Sequence, residues 1–231
     1  MSELQALLTA ARNGNMKGVV ALVGSEVDPI DVNTASPTDG STAVIVASEG
    51  GHTAVVSFLV GVGAAVDAAD VLGWTALHFA AVNGHAACAR CLVAAGAAVD
   101  AREKVGWTPL HVAAMNGWTE CVRTLVELGS ALDAVNKYQL GTVHVAARSG
   151  HTDCVRALVA LGATVDARTY YGETPLHLAA VGGYVDVVRE LVSSGADLHI
   201  CDKDGQKPED KARGRNRHQV ATYLAEVSTR T

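Results

Sequence analysis

The chain has 231 residues and a formal net charge of −6, and 49% of its residues are hydrophobic but only 4% are aromatic. Its apolar residues are therefore mostly Ala, Val and Leu, and its negative charge excludes a general nucleic-acid binder, which would carry a basic surface. We also expect no membrane association, because no apolar run reaches membrane-spanning length and no secretory signal is visible at the start.

The first predicted element is a pair of helices at the N-terminus. Ser2 is a suitable N-cap for an inner helix that ends near Gly14. Residues 16–22 predict the outer partner of this helix. The stretch 25–40 contains two prolines and predicts an extended, mobile hairpin or loop. We assign residues 1–36 to an N-terminal capping repeat and this loop.

A short stretch in the middle of the chain contains every signal of a turn followed by a helix. Gly106 suits a tight turn, and Thr108 can cap the free N–H groups of a first helical turn. Pro109 then stands at the first helical position, and Gly117 can end the helix. A helix this short is marginal alone in water, so neighbouring copies must stabilise it.

The same stretch recurs along the chain with a period of 33 residues, which is the signature of a repeat protein. The recurring histidines are His78, His111, His144 and His177. The best copies of the helix start are Thr75–His78, Thr108–His111 and Thr174–His177. The predicted repeats are 37–69, 70–102, 103–135, 136–168 and 169–201. Because the recurring residues are those that the repeat needs in order to fold, they say little about function.

The last predicted unit is a C-terminal capping repeat and tail over residues 202–231. Lys207–Asp210 stands where the recurring helix start would be, and Pro208 still suits the first position of a helix. This unit is locally basic: its cations include Lys203, Lys207, Lys211, Arg213, Arg215 and Arg217. We interpret them as a solvated cap face; the alternatives are a patch for an acidic partner or a nuclear-import signal.

The 33-residue period and the Thr-Pro-Leu-His helix start are similar to those of the ankyrin repeat, from about residue 4 to about residue 226. The resemblance implies an all-α repeat solenoid of about seven repeats, including two caps, within a single domain 1–231. Each repeat would be a helix–turn–helix joined to the next by a β-turn or hairpin. In this family the turn tips and the exposed edge of each first helix form a concave surface that binds proteins.

Histidine and cysteine are the residues that could carry chemistry. A linear stack spreads the recurring histidines apart, so we predict that each bonds its Thr and a neighbouring turn. Cys121 and Cys154 follow Cys88 at intervals of 33 residues, which predicts small buried core thiols. A metal or redox site at His85, Cys88 and Cys91 is the alternative. We expect no enzyme activity, cofactor or metal, and five cysteines in this pattern predict a reducing cytoplasmic or nuclear location.

The positions that change between repeats are the candidates for partner binding, because folding alone does not need large side chains on turn tips. Aromatic residues, Met and Arg are enriched in interface cores. The candidates are Leu72, Trp74, Asn83, Lys104, Trp107, Met115, Asn116, Lys137, Tyr138, Leu140, Arg148, Tyr170 and Tyr171. They predict a monomeric, non-enzymatic scaffold or adaptor whose protein partner offers apolar anchors and some acidic residues. The alternative for each Trp is that it packs on its own turn.

A narrower resemblance concerns the gankyrin-like proteasome assembly chaperones. The similarity is in length, in repeat number, in the turn Lys137–Gln139 and in the run Leu191–Ala196 that leads to Asp202. It implies a proteasomal ATPase subunit as the partner. The Leu-x-Cys-x-Glu motif of that family is absent, since the aligned stretch is Leu178–Gly182. Retinoblastoma binding is therefore not expected.

Overall fold

The computed structural model describes residues 2–24 and 30–229, and within these residues the chain forms fourteen short helices. They are α1 (Glu3–Arg12), α2 (Met16–Val23), α3 (Ala43–Glu49), α4 (Thr53–Gly61), α5 (Ala76–Val82), α6 (Ala86–Ala94), α7 (Pro109–Met115), α8 (Thr119–Glu127), α9 (Thr142–Ser149), α10 (Thr152–Ala160), α11 (Pro175–Gly182), α12 (Val185–Ser193), α13 (Pro208–Gly214) and α14 (His218–Ser228). This confirms the predicted helical repeat fold.

The links between helix pairs are turns, and the described residues contain no β-strand. Two isolated antiparallel bridges, Ala69–Thr75 and Val135–Gly141, are the nearest approach to the predicted hairpins. In the predicted loop 25–40, residues 25–29 lie outside the described part, and residues 30–40 contain no helix. None of the described helices is both long and apolar enough to cross a membrane.

The chain forms two compact units. The first comprises Met1–Ala113 with Thr124–Ser130, and the second comprises Ala114–Arg123 with Ala131–Thr231. In the first unit, helices α1, α3 and α5 form an inner row, and α2, α4 and α6 pack outside them. In the second unit, α9, α11 and α13 form the inner row, and α10, α12 and α14 the outer one.

One leucine per repeat forms the centre of the outer helices. The series is Leu59, Leu92, Leu125, Leu158, Leu191 and Leu224, and each is fully or almost fully buried. The inner helices place two small residues at their centre, as with Ala80 and Ala81 in α5, and both are buried. Their short side chains let neighbouring helices lie close together, which explains why the apolar content is rich in alanine.

The recurring histidine ties the start of each inner helix to the next turn. The Nδ1 atom of His78 accepts the backbone N–H of Thr75 at 3.2 Å and lies 3.0 Å from the Thr75 hydroxyl. Its Nε2 donates to the carbonyl of Trp107 at 3.1 Å. His144 and His177 form the equivalent bonds within the second unit. The predicted bonds to a threonine and to the next turn are confirmed for His78 and His177. His144 also bonds the next turn, but its helix begins after Gly141, so it accepts a backbone N–H there and has no threonine hydroxyl to contact.

Candidate protein-binding surface

One side-chain oxygen fixes the shape of each turn tip. The Oδ1 atom of Asp70 accepts the backbone N–H groups of Leu72 and Trp74, both at 2.8 Å. The equivalent acceptors in later repeats are Glu103, Asn136, Thr169 and Asp202. Sequence reasoning missed this device, because four different residue types supply the same acceptor. In each of these repeats, one acceptor thus holds two backbone N–H groups of the tip.

Neighbouring tips within a unit are joined through their backbones. In the first unit, the N–H of Lys104 donates to the carbonyl of Leu72 at 3.3 Å. In the second unit, Tyr170 donates to the carbonyl of Tyr138 at 3.1 Å and Lys203 to that of Tyr171 at 2.9 Å. These bonds use only main-chain atoms, so they do not depend on which side chains stand on the tips.

The two tryptophans among the candidates serve the fold at least in part. Trp74 is half-buried, with its ring centroid 5.7 Å from that of His78 and 5.4 Å from that of Phe79. Trp107 is half-buried too, and its ring lies 5.9 Å from that of His111. The structure therefore shows the packing that was the alternative reading for each Trp, and it leaves only part of each ring for a partner.

The other candidates in the first unit are exposed. Leu72 is 58% exposed at the tip that follows Asp70. Lys104 is exposed at the next tip, and Asn83 is exposed at the end of α5. The Asn83 amide donates to the carbonyl of Phe79 in its own helix at 3.1 Å. These side chains give the first unit an apolar tip with polar groups around it.

Tyrosines dominate the tips of the second unit. Tyr138, Tyr170 and Tyr171 are 54–60% exposed. The rings of Tyr170 and Tyr171 meet edge to face with centroids 5.4 Å apart, and the Lys203 ammonium lies 3.9 Å from the centre of the Tyr170 ring. Lys137 is exposed beside Tyr138. Such ordered, exposed aromatic rings suit a protein contact.

Two further candidates lie at the end of α7, in the segment Ala114–Arg123 of the second unit. Met115 is half-buried, and its carbonyl accepts a hydrogen bond from Nε2 of His151 at 2.9 Å. Asn116 is exposed. The backbone of this segment is thus held by the next repeat.

The second unit contains a cleft of about 610 Å³ next to its turn tips. Four of the predicted binding residues line it, namely Tyr138, Leu140, Arg148 and Tyr171. Other lining residues are Glu173, Leu178, Val181, Lys211, Gly214 and Arg215. Sequence reasoning missed Val181 and Gly214, although they follow Arg148 at intervals of 33 residues, because neither residue type suggests binding.

A nearly buried ion cluster forms one side of this cleft. The Lys211 ammonium lies 2.7 Å from Oδ2 of Asp202 and 3.2 Å from Oε1 of Glu173. Burial alone would raise the pKa of Asp202, but hydrogen bonds from Lys211 and from backbone N–H groups outweigh it, so the pKa is lowered. Burial opposes the charge of Lys211 in the same way, and its two carboxylate partners leave its pKa raised. Asp202 and Lys211 are therefore both ionised near neutral pH.

The cysteines of the outer helices are core residues. Cys88, Cys121 and Cys154 are fully buried at equivalent positions. Burial raises the pKa of each, that of Cys121 to about 12. Thr53 and Thr119 place their hydroxyl oxygens 3.2 Å from the sulfurs of Cys88 and Cys154. A buried, protonated thiol is a poor nucleophile and a poor metal ligand.

The alternative metal site at His85 also lacks the required geometry. The Nε2 atom of His85 is bonded to the carbonyl of Glu49 at 3.1 Å. Across residues 2–24 and 30–229, no three His, Cys, Asp or Glu side chains are grouped so that they could hold a metal ion. The contacts of His85 and the burial of Cys88 favour the structural interpretation of both residues.

Comparison with known proteins agrees with this architecture. A family model described as "Ankyrin repeats (3 copies)" matches residues 7–103, 95–169, 128–204 and 161–230. No curated protein sequence matches the chain significantly. The crystal structure of the human ASB11 ankyrin repeat domain is similar, with a TM-score of 0.84 and 29% sequence identity over 94% of this chain and 96% of that one. The chain belongs to the ankyrin repeat family.

Proposed function

We propose that this protein is a non-enzymatic scaffold or adaptor that binds a protein partner through its turn tips and the adjacent ends of its inner helices. Ankyrin repeats are generally protein–protein interaction modules, and the fold is typically a non-catalytic scaffold. The proposal goes further, because it assigns binding to the thirteen candidate positions named above.

One observation carries the proposal: large apolar and aromatic side chains are exposed on turns whose shape does not depend on them. Leu72, Tyr138, Tyr170 and Tyr171 are each more than half exposed. Their turns are held by the side-chain acceptors and backbone bonds described above. Exposed aromatic and aliphatic anchors on a rigid support lose little entropy when they bind, which favours their use in an interface.

The test is affinity purification of the tagged protein from cells, followed by mass spectrometry. In the test variant, Leu72, Tyr138, Tyr170 and Tyr171 are all replaced by Ser. The matched control replaces Val20, Val62 and Leu161 by Ser; these side chains are 37–43% exposed on or beside the outer helices. We expect the test variant to lose the main partner and the control to keep it, with unchanged circular dichroism in both. A partner that binds both variants equally would contradict the proposed surface.

A second candidate is a gankyrin-like role in assembly of the proteasome regulatory particle. Its support is the similarity of the turn Lys137–Gln139, where Tyr138 is exposed, and of the run Leu191–Ala196. The partner would be the C-terminal domain of a proteasomal ATPase subunit. Purified domains of these subunits should then bind the protein in a pull-down, and binding should fall with Tyr138→Ser. If none of them binds, this role is wrong while the broader proposal stands.

A further inference from the structure

The cleft of the second unit lies where two recurring positions of the repeats have no bulky ring. At the end of each turn the first unit carries Trp74 and Trp107, whereas the equivalent residues beside the cleft are Leu140, Glu173 and Gln206. At a second equivalent position, the inner helices carry Arg148, then Val181, then Gly214. The space that larger residues would fill is therefore open to solvent.

Two guanidinium groups at the cleft form no ion pair with any residue in the described ranges 2–24 and 30–229. Arg148 lies in the last turn of α9, and Arg215 follows the last residue of α13. Both side chains are exposed. A guanidinium stays charged at all ordinary pH values and can bind a carboxylate with two parallel hydrogen bonds.

The acidic groups at the cleft are already engaged. Glu173 is paired with Lys211, which also holds Asp202. Asp210 uses one carboxylate oxygen to accept the backbone N–H of Lys207 at 3.0 Å, where it caps the start of α13. The lining side chains include three cations and two carboxylates, and the Asp202 carboxylate lies directly beside Lys211. The carboxylates are thus used by Lys211 and by the start of α13, and none of the described ones is paired with Arg148 or Arg215.

The remaining lining is apolar or aromatic. Leu178 and Val181 are half-buried in α11, and the exposed rings of Tyr138 and Tyr171 stand at the same cleft. A volume of about 610 Å³ lies within the usual range for ligand sites and has room for a few side chains. A ligand that fits this cleft must therefore supply an apolar group for Leu178 and Val181 and a negative group for Arg148 or Arg215.

We propose that this cleft binds an extended segment of a partner protein in which a carboxylate side chain stands next to an aromatic or branched aliphatic one. The carboxylate pairs with Arg148 or Arg215, and its neighbour packs on Leu178 and Val181 between the two tyrosines. This inference rests on the proposed scaffold function and gives it a partner chemistry and a location.

The test begins with selection of random linear peptides, displayed on phage, against the intact protein. We expect the enriched peptides to carry Asp or Glu beside Phe, Tyr, Trp, Leu or Ile. The most enriched peptide is then labelled, and its dissociation constant is measured by fluorescence anisotropy at low and high salt. Affinity should fall as salt rises, because exposed ion pairs are screened.

Two variants locate the binding and each has a matched control. Arg148→Glu with Arg215→Glu should weaken binding of the labelled peptide by at least about tenfold, because the charge-assisted contact with either arginine is lost and both positions become repulsive to a carboxylate. The control, Arg123→Glu with Arg189→Glu, changes the net charge equally on exposed positions of the outer helices. It should change the dissociation constant by less than about twofold.

The second variant, Gly214→Phe, fills the cleft. A Cβ atom at Gly214 would meet no atom within 4 Å, so a side chain can begin there without a clash, and we expect the phenyl ring to occupy the cleft and block the peptide. Gly61→Phe is its control, because Gly61 also ends a helix, has an equally open Cβ position and lies in the first unit. This control should bind the peptide as the unchanged protein does.

Several outcomes would overturn the proposal. They are a failure to enrich any peptide, enriched peptides without acidic residues, equal weakening by both charge reversals, and unchanged binding to Gly214→Phe. None of these outcomes would contradict the broader scaffold function. That function is tested separately, by whether the turn-tip variant still captures the main partner from cells. Tyr138 and Tyr171 belong both to the turn tips and to the cleft, so the variants that distinguish the two proposals are the ones that change neither tyrosine. If Gly214→Phe loses the peptide but still captures the main partner, that partner binds outside the cleft.

Discussion

Gln139 occupies a backbone conformation that the other repeats give to glycine. Its φ is +58°, whereas the equivalent residues are Gly73, Gly106, Gly172 and Gly205, with φ between +75° and +92°. A residue with a Cβ atom pays a steric cost in this left-handed region. Gln139 lies beside the exposed Tyr138, so the strain is located at the candidate binding surface.

We predict that Gln139→Gly stabilises the protein by about 1 kcal/mol, because glycine adopts this conformation without strain. The measurement is the midpoint of urea unfolding followed by circular dichroism. The reverse change at the equivalent position, Gly73→Gln, should destabilise the protein. The Cβ atom of the new residue would lie 3.3 Å from backbone atoms of Glu103 and Lys104. A lower midpoint for Gln139→Gly would show that the glutamine side chain makes a stabilising contact instead.

At the scale of elements, the Lys211 cluster fastens the last inner helix to the turns before it. Lys211 belongs to α13, Glu173 to the preceding repeat and Asp202 to the turn between them. The Asp202 side chain is only 2% exposed. Without Lys211, that carboxylate would keep its backbone N–H donors but lose its only cation among the described residues.

Lys211→Met should therefore destabilise the protein by about 2 kcal/mol near neutral pH, as expected when one partner of a nearly buried ion pair is removed. The folded pKa of Asp202 lies below its ordinary value of 3.8, so its contribution is present above that pH and is lost as pH falls below it. In the variant that pKa rises, so the midpoint of acid unfolding should move to higher pH. Lys207→Met, an exposed neighbour, is the control; an equal effect of both changes would contradict the role of the cluster.

Helix starts could be predicted from sequence because each depends on residues next to one another. Thr108 and Pro109 predict the start of α7 at Pro109, and the structure has it there. The cleft could not be predicted, because it depends on small residues at two recurring positions, Val181 and Gly214. Only their combination with Arg148, at the equivalent position one repeat before Val181, suggests binding. Likewise, the half-burial of Trp74 results from packing against Phe79, and no sequence periodicity reveals that contact.

At the scale of the whole molecule, the recurring histidines make stability depend on pH. Burial lowers the pKa of His78, His144 and His177 from 6.5, even though each donates to a backbone carbonyl. Each is therefore neutral in the folded protein. Their contribution to stability is present above about pH 6.5 and is lost as pH falls through the lower folded values, because the unfolded chain binds the protons first.

We expect the free energy of unfolding in urea to be smaller at about pH 5 than at about pH 7.5, by at most about 1.4 kcal/mol per histidine and pH unit. His144→Gln should reduce this difference, since glutamine cannot take up the proton. The exposed His218→Gln serves as the control for loss of one imidazole. Equal stability at both pH values in the unchanged protein would mean that these imidazoles tolerate protonation in place.

The backbone bonds between turn tips have a consequence for how this protein can change over time. Because Tyr170 donates its N–H to the carbonyl of Tyr138, and Lys203 to that of Tyr171, each contact uses only main-chain atoms that every residue except proline can supply. Mutation can therefore replace the side chains at these positions while the spacing between tips stays the same. New partners can be acquired one substitution at a time, without a matching loss of stability.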